Sequence, residues 1–244
     1  MLRAVEARLF AEVAPDLPEP IIDIGSGDGT FVQIAFPGKE VYGIDPIVSD
    51  THEAHHRGVY AGLAVANGAA LPFPDNHFAS AFSNCVLEHV VPLDETLSEV
   101  TRVLKPGGFF VASVVGNRFP TELLGSKLLD TLGFDGSAYG RWFNKISYHF
   151  NTLSVAGWTE RFERAGMKVV SHRPYFSFAA LKLFDFSHYY GAPSLITRKL
   201  TGRWLLYPPL TPNLLWEPIL RKIYTAPPQE DGPYYFFICQ KPEA

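Results

Sequence analysis

Ile21-Ile22-Asp23-Ile24-Gly25-Ser26-Gly27-Asp28-Gly29-Thr30 carries an apolar strand into a glycine-rich turn and then a helix. Glycines at such a turn let the backbone approach a ligand where any Cβ would collide, and the helix start presents free N–H groups. The same residues also suit a tight strand-to-helix turn with no ligand. As a G-x-G-x-x-G dinucleotide fingerprint the run fails at its last position, where Thr30 replaces the third glycine. Asp45, 18 residues after Gly27, ends the apolar run Val41-Tyr42-Gly43-Ile44 and precedes Pro46. A carboxylate at the C-terminal end of a strand in an open α/β sheet is within reach of ribose hydroxyls. Turn formation or capping with Pro46 is the alternative use.

Histidines supply further candidates. His52-Glu53-Ala54-His55-His56 satisfies the H-E-x-x-H pattern literally, but zinc hydrolysis needs that stretch on a long helix, a third ligand and a catalytic water. Here it reads as a short link after Asp45 with a solvated, partly helical surface. His89 follows Ser83-Asn84-Cys85-Val86-Leu87-Glu88 and could act as a base, or only pack and bond to backbone. Tyr148-His149 closes an aromatic stretch just before a helix, where it either faces a pocket or forms a packed corner.

Such residues need a scaffold, and hydrophobic periodicity indicates one. Short apolar runs at Ile21 to Ile24, Val41 to Ile44, Tyr60 to Ala66, Phe78 to Phe82 and Phe109 to Val115 alternate with helical stretches around Gly29 to Ala35 and Leu93 to Leu104. That alternation predicts parallel strands with right-handed crossovers in an open α/β sheet. Lys105-Pro106-Gly107-Gly108 predicts a helix stop and a tight turn into the next strand. A later helix spans Thr152 to Ala165, with strands from Met167 to about Val170 and from Tyr234 to Cys239.

Bulk properties bound the function. The 244 residues suit one to two domains. With 47% hydrophobic and 19% charged residues the chain folds around a substantial core. A net charge of −4 gives no basic field for nucleic acid. Cys85 and Cys239 both sit in apolar runs and read as buried free thiols, which fits a reducing cytoplasm. Met1 to Val13 reads as an amphipathic helix and not as a signal peptide, and no apolar run reaches the length of a membrane span.

Two stretches break the alternation. Gly116 to Phe150 mixes Gly with Tyr, Trp and Phe, while Tyr175 to Ala226 holds 11 aromatics and five prolines in 52 residues. The second carries a charge of +4, leaving −8 on the rest of the chain. Its Arg198, Lys199 and Arg203 cluster beside Trp204, Leu205 and Leu206, which permits peripheral contact with an anionic membrane through 175–226.

Taken in order, Asp23 to Gly29, Gly43 to Asp45, Asn67 to Phe73 with Asp75 to Phe78, and Val103 to Gly108 resemble the class I S-adenosylmethionine-dependent methyltransferases. Within them the resemblance is to the small-molecule group, methyltransferase type 11, that includes ubiquinone and menaquinone biosynthesis enzymes. It covers Ile21 to about Ser171 and the last strand. It implies a Rossmann-like α/β fold: a seven-stranded, mostly parallel sheet with an antiparallel last strand, helices on both faces and inserted substrate caps. The division that follows is a cofactor-binding core at 1–115, a cap at 116–150, core continuation at 151–174, an aromatic, basic cap at 175–232 and the final core strand at 233–244. The implied cofactor is S-adenosyl-L-methionine, with S-adenosyl-L-homocysteine as product, held by Asp23, Gly25, Ser26, Gly27, Gly29, Asp45, Pro46, Asn67, Gly68, Ala69, Asn84 and Leu87. Asn67 replaces the family's Asp, and its amide oxygen can still accept from an adenine amino group.

The implied reaction is in-line displacement of a sulfonium methyl by a small or lipid-like, hydrophobic acceptor. The chain aligns the reactants, excludes water and, for a hydroxyl acceptor, supplies a base from His89, Tyr139, Tyr148 or His149. No metal is required. A non-catalytic S-adenosylmethionine-binding module is the alternative, and a nicotinamide oxidoreductase a further one, which Thr30, Leu71-Pro72-Phe73 and Lys105-Pro106-Gly107-Gly108 disfavour. The expected setting is the cytoplasm, free or at the membrane periphery.

Overall fold

A computed structural model describes residues 1–201, 213–227 and 230–243. Arg203, Trp204, Leu205 and Leu206 of the basic, aromatic cluster lie outside the described residues, as do the side chains of Arg198 and Lys199.

The chain opens with α1 (Leu2–Val13), whose helical spacing buries Val5, Glu6, Leu9 and Phe10 on one face. Alternating strands and helices follow: β1 (Ile21–Ile24), α2 (Thr30–Ala35), β2 (Val41–Asp45), α3 (Val48–Arg57), β3 (Gly62–Val65), β4 (Phe78–Asn84), α4 (Leu93–Val103) and β5 (Leu104–Val115). Three helices then form the first insertion, α5 (Phe119–Glu122), α6 (Leu124–Thr131) and α7 (Gly136–Ile146). The chain returns through α8 (Val155–Arg164) and β6 (Lys168–Tyr175), departs again in α9 (Phe178–Thr201) and α10 (Asn213–Tyr224), and closes with β7 (Tyr234–Gln240).

The strands form one sheet in the order β3-β2-β1-β4-β5-β7-β6. β7 is antiparallel to both neighbours, and every other pair is parallel. Side chains alternate between faces along each strand, so two cores result. Ile21, Phe82, Val111 and Phe236 pack with α1 and α2 on one face. Ile22, Ile24, Phe110 and Phe237 pack with Leu97 and Val100 of α4 and Trp158 and Phe162 of α8 on the other. The expected seven-stranded α/β sheet with helices on both faces is therefore present. Strand order reverses between β1 and β4, which opens a crevice at the carboxyl edge of the sheet.

Three details depart from the sequence reading. Lys105–Gly108 belongs to β5 and is not a separate turn: Leu104 pairs with Phe78 and Phe109 with Ser80, so the residues between them bulge. Gly107, at φ +76°, donates its N–H to the carbonyl of Lys241 at 3.0 Å and ties the bulge to the C-terminal residues. The His52–His56 run is not in a short link but on α3, where the Nε2 atoms of His52 and His56 lie 3.2 Å apart across one helical turn. β6 runs five residues past Val170, because Tyr175 continues the pairing with β7.

Val115, Tyr175 and Tyr234 stand side by side at one end of the sheet, Tyr234 pairing with both. The second helical excursion starts after Tyr175 and ends at Tyr234, while the first leaves after Val115 and closes where Leu153 bridges Gly116, beside the same row. Among the described residues no helix is long and apolar enough to cross a membrane.

Candidate functional site

β1 delivers Asp23 to the crevice and then turns through Gly25 at φ +87° and Gly27 at φ +51°. A Cβ on Gly25 would lie 2.5 Å from a methyl of Val86, so packing alone excludes a side chain there. A Cβ on Gly27 would meet nothing within 4 Å. That open side faces a cleft of about 890 Å³, within the usual size range of ligand sites. Its floor is Asp23, Gly25, Ser26, Gly27, Asp45 and Asn84, with α1 forming the opposite wall through Ala4, Ala7 and Ala11.

The carboxylates have separate duties. Asp45 accepts from the N–H of Gly27 at 3.0 Å and of Ile47 at 2.8 Å. The turn use foreseen as an alternative for this residue is thus realised, and it clamps the glycine turn to the end of β2. Asp23, only 2% exposed, accepts a 2.8 Å hydrogen bond from the hydroxyl of Tyr60. Burial pushes its carboxyl up to about 7, against the hydrogen bond from Tyr60 and with help from the charge of Asp45. The Oγ of Ser26 is buried in the same floor with no hydrogen-bond partner. Asn84 is oriented by Ser113, whose Oγ donates to its Oδ1 at 2.7 Å. A cleft with an orphaned hydroxyl, a space that a Cβ would fill and a buried acid suits a polar, cationic ligand lying against the turn.

A pH dependence follows from Asp23. Between about pH 4 and 7 the folded state keeps this proton and the unfolded state does not, so stability falls as pH rises through that window and levels off above it. Asp23→Asn retains an acceptor for Tyr60 and removes the ionisation. The variant should gain stability over the parent, on the order of a few kcal/mol, on going from pH 5 to pH 8. Urea unfolding at both pH values checks this, and parallel profiles for the two proteins would refute it.

A second cavity of about 270 Å³ adjoins the first and shares Met1, Arg3, Cys85 and His89 with it. Phe119, Phe143, Phe184 and Tyr234 make its apolar lining, and Glu88, His149 and His188 its polar one. His89 donates from Nδ1 to the carbonyl of Tyr148 at 3.1 Å, and its ring centroid lies 5.1 Å from that of His149. Burial lowers the His89 imidazole, and burial with the nearby His89 charge lowers His149 to about 4. Burial pushes the Glu88 carboxyl up to about 8.

The sequence-derived residues divide accordingly. Asp23, Gly25, Ser26, Gly27, Asp45, Asn84 and His89 meet at the cleft, and His149 joins His89 at the second cavity. Gly29 instead packs its φ +80° backbone against Tyr60 and Val59, Leu87 is buried in the α4–α8 core, and Pro46 is exposed. Asn67, Gly68 and Ala69 sit in the loop after β3, with the Asn67 Oδ1 accepting from Ala69 N–H at 3.0 Å. Tyr148 lends its carbonyl while its ring is exposed. Tyr139 donates to Asp185 of α9 at 2.6 Å and lines neither cavity.

Sequence reading missed Glu6 and Glu88. Glu6 is fully buried behind two cavity-lining residues, accepting from Cys85 Sγ at 3.0 Å, Arg3 at 3.1 Å and also Tyr175 at 3.1 Å. The available signal was its place four residues from Leu2 and from Phe10, on the apolar side of α1.

Residues 22–112 match the family model described as a methyltransferase domain. The chain is 37% identical over 102 residues to the demethylmenaquinone methyltransferase of Symbiobacterium thermophilum, covering 37% of this chain and 40% of that protein. It is 33% identical over 112 residues to the malonyl-[acyl-carrier protein] O-methyltransferase of Methylococcus capsulatus, covering 43% and 41%. The chain thus spans about two fifths of the length of these curated relatives. In fold it is similar to geranyl diphosphate methyltransferase in complex with S-adenosylmethionine, at a TM-score of 0.55 and 14% identity over 99% of this chain and 85% of that one. A strand-order reversal with a glycine turn beneath it, the matched domain and these relatives point the same way: residues 22–112 are similar to a methyltransferase domain, set in a fold like that of S-adenosylmethionine-dependent methyltransferases.

Proposed function

We propose that the chain transfers a methyl group from S-adenosylmethionine to a small or lipid-like, apolar acceptor seated in the second cavity. The observation that carries this reading is the common wall of Arg3, Cys85 and His89 between a polar cleft and an aromatic-lined cavity. When bound, S-adenosylmethionine supplies an electrophilic methyl on a sulfonium, a leaving group that needs no protonation. Asp23, Ser26, Gly27 and Asn84 would hold it, while Asp45 keeps the turn in place.

The remaining work falls to alignment and water exclusion. Phe119, Phe143, Phe184 and Tyr234 would grip the acceptor's apolar body, and His89 and His149 would face its reacting end. Tyr148 takes part through the carbonyl that orients His89. The segments 116–150 and 175–232 serve as acceptor caps in this reading, since α7 supplies Phe143 and α9 supplies Phe184 and His188. On α9, Phe186 and Tyr189 are exposed, which suits an acceptor drawn from a membrane surface. The relative named for demethylmenaquinone is compatible with such an acceptor.

The test is transfer of labelled methyl from S-adenosylmethionine into a cell extract, followed by partition into organic solvent. Label should enter the organic phase with the parent protein and fall sharply with Gly27→Ala. Label confined to water-soluble products would overturn the apolar acceptor, and no transfer to any fraction would make the chain a binding module.

A further inference from the structure

Glu88, His89 and His149 bring one carboxylate oxygen and two imidazole nitrogens within 4.8 Å of one another at the edge of the second cavity. We propose that these three side chains bind a first-row divalent cation of the zinc type. Its existence is independent of methyl transfer; only its use, holding an oxygen of the acceptor as a further ligand, rests on the function proposed above.

The tautomers favour this. The Tyr148 carbonyl can only accept, so the His89 Nδ1 at 3.1 Å carries the proton and Nε2 keeps a free lone pair. His149 is held likewise, its Nδ1 lying 3.3 Å from the Oδ1 of Asn144. Metal-binding histidines are oriented this way, by a carbonyl or amide oxygen behind the ring. The third donor has the matching need: Glu88 is 1% exposed, and its Oε2 is buried with no hydrogen-bond partner.

Geometry requires a modest closure. Ligands about 2.1 Å from a tetrahedral ion stand roughly 3.4 Å apart, so the side chains must draw together by no more than about 1.4 Å. The set is two imidazoles and a carboxylate, which suits zinc, iron(II) or cobalt(II) better than magnesium or calcium. Three protein ligands leave a coordination position for an outside oxygen, and His89 stands on the wall shared with the cofactor cleft.

The experiment is titration of the full chain with cobalt(II) chloride, read by visible absorption, and with zinc chloride, read by calorimetry, in the absence of cofactor and acceptor. The His52–His56 pair on α3 is a second chelator, so both residues are first replaced by alanine. Binding of one equivalent should persist in that background and be lost in His149→Ala. Asn144→Ala, which leaves all three ligands in place, should weaken binding by roughly 10- to 100-fold. If His149→Ala fails to fold, Asn144→Ala and Glu88→Gln decide the matter. Disappearance of all binding with His52 and His56, or unchanged affinity in Asn144→Ala and Glu88→Gln, would overturn the site, whatever the methyl-transfer assay shows.

Discussion

Gly27→Ala should weaken S-adenosylmethionine binding by roughly 10- to 100-fold while costing only about 1–2 kcal/mol of stability. The added methyl meets no protein atom within 4 Å, so its structural cost is that of holding alanine at φ +51°. Its functional cost arises because it projects into the space where the ligand would lie, and a misplaced methyl in a close-packed contact costs about 1–3 kcal/mol. Gly25→Ala provides the contrast. There the Cβ would stand 2.5 Å from Val86, and the loss should appear in stability before any ligand is added. Calorimetric titration beside urea unfolding separates the two substitutions. Undiminished affinity in Gly27→Ala would mean that the ligand does not approach this turn.

Phe10→Ala should lower the unfolding free energy by about 3–5 kcal/mol, equivalent to a drop in Tm of about 10 °C for a chain of this size. Phe10 is fully buried, with its ring centroid 5.0 Å from Phe236, 5.2 Å from Phe31 and 5.6 Å from Phe82. These contacts pin α1 to the sheet, and α1 is also one wall of the cleft proposed to hold the cofactor. Cofactor affinity should therefore fall with stability, unlike a deletion at Trp158 in the opposite core. A loss of less than about 1 kcal/mol in unfolding free energy would show that α1 is held by other means.

Much of the fold was legible because its signals are local. The β1 run, its glycine turn and Asp45 all lie within 25 residues and occupy the expected places. What escaped depends on distant partners. The burial of Glu6 requires Cys85, 79 residues away, and Tyr175, 169 residues away. Glu88 reads as part of an apolar stretch, and only the return of the chain at His149 makes it one corner of a cluster. Lys105–Gly108 has the composition of a turn, yet Lys241 of the C-terminal segment pairs across it. The irregular composition of Gly116 to Phe150 conceals three helices, because Gly125 and Gly140 are needed where Tyr139 and the Pro120 backbone press close. A side chain at Gly29 would press on Tyr60, on Val59 and on Ala54 of α3, contacts that only the folded chain brings together.

The row of Val115, Tyr175 and Tyr234 has an evolutionary consequence. The second excursion leaves after Tyr175 and rejoins at its paired neighbour Tyr234, and the first is closed by the bridge between Gly116 and Leu153, so each span is fixed and each length is free. Doubling such a loop costs only about 0.6 kcal/mol in closure entropy. If the two segments act as the acceptor caps proposed above, acceptor preference can be changed by exchanging them whole at these fixed ends while the turn at Gly25–Gly29 and its clamp at Asp45 remain untouched.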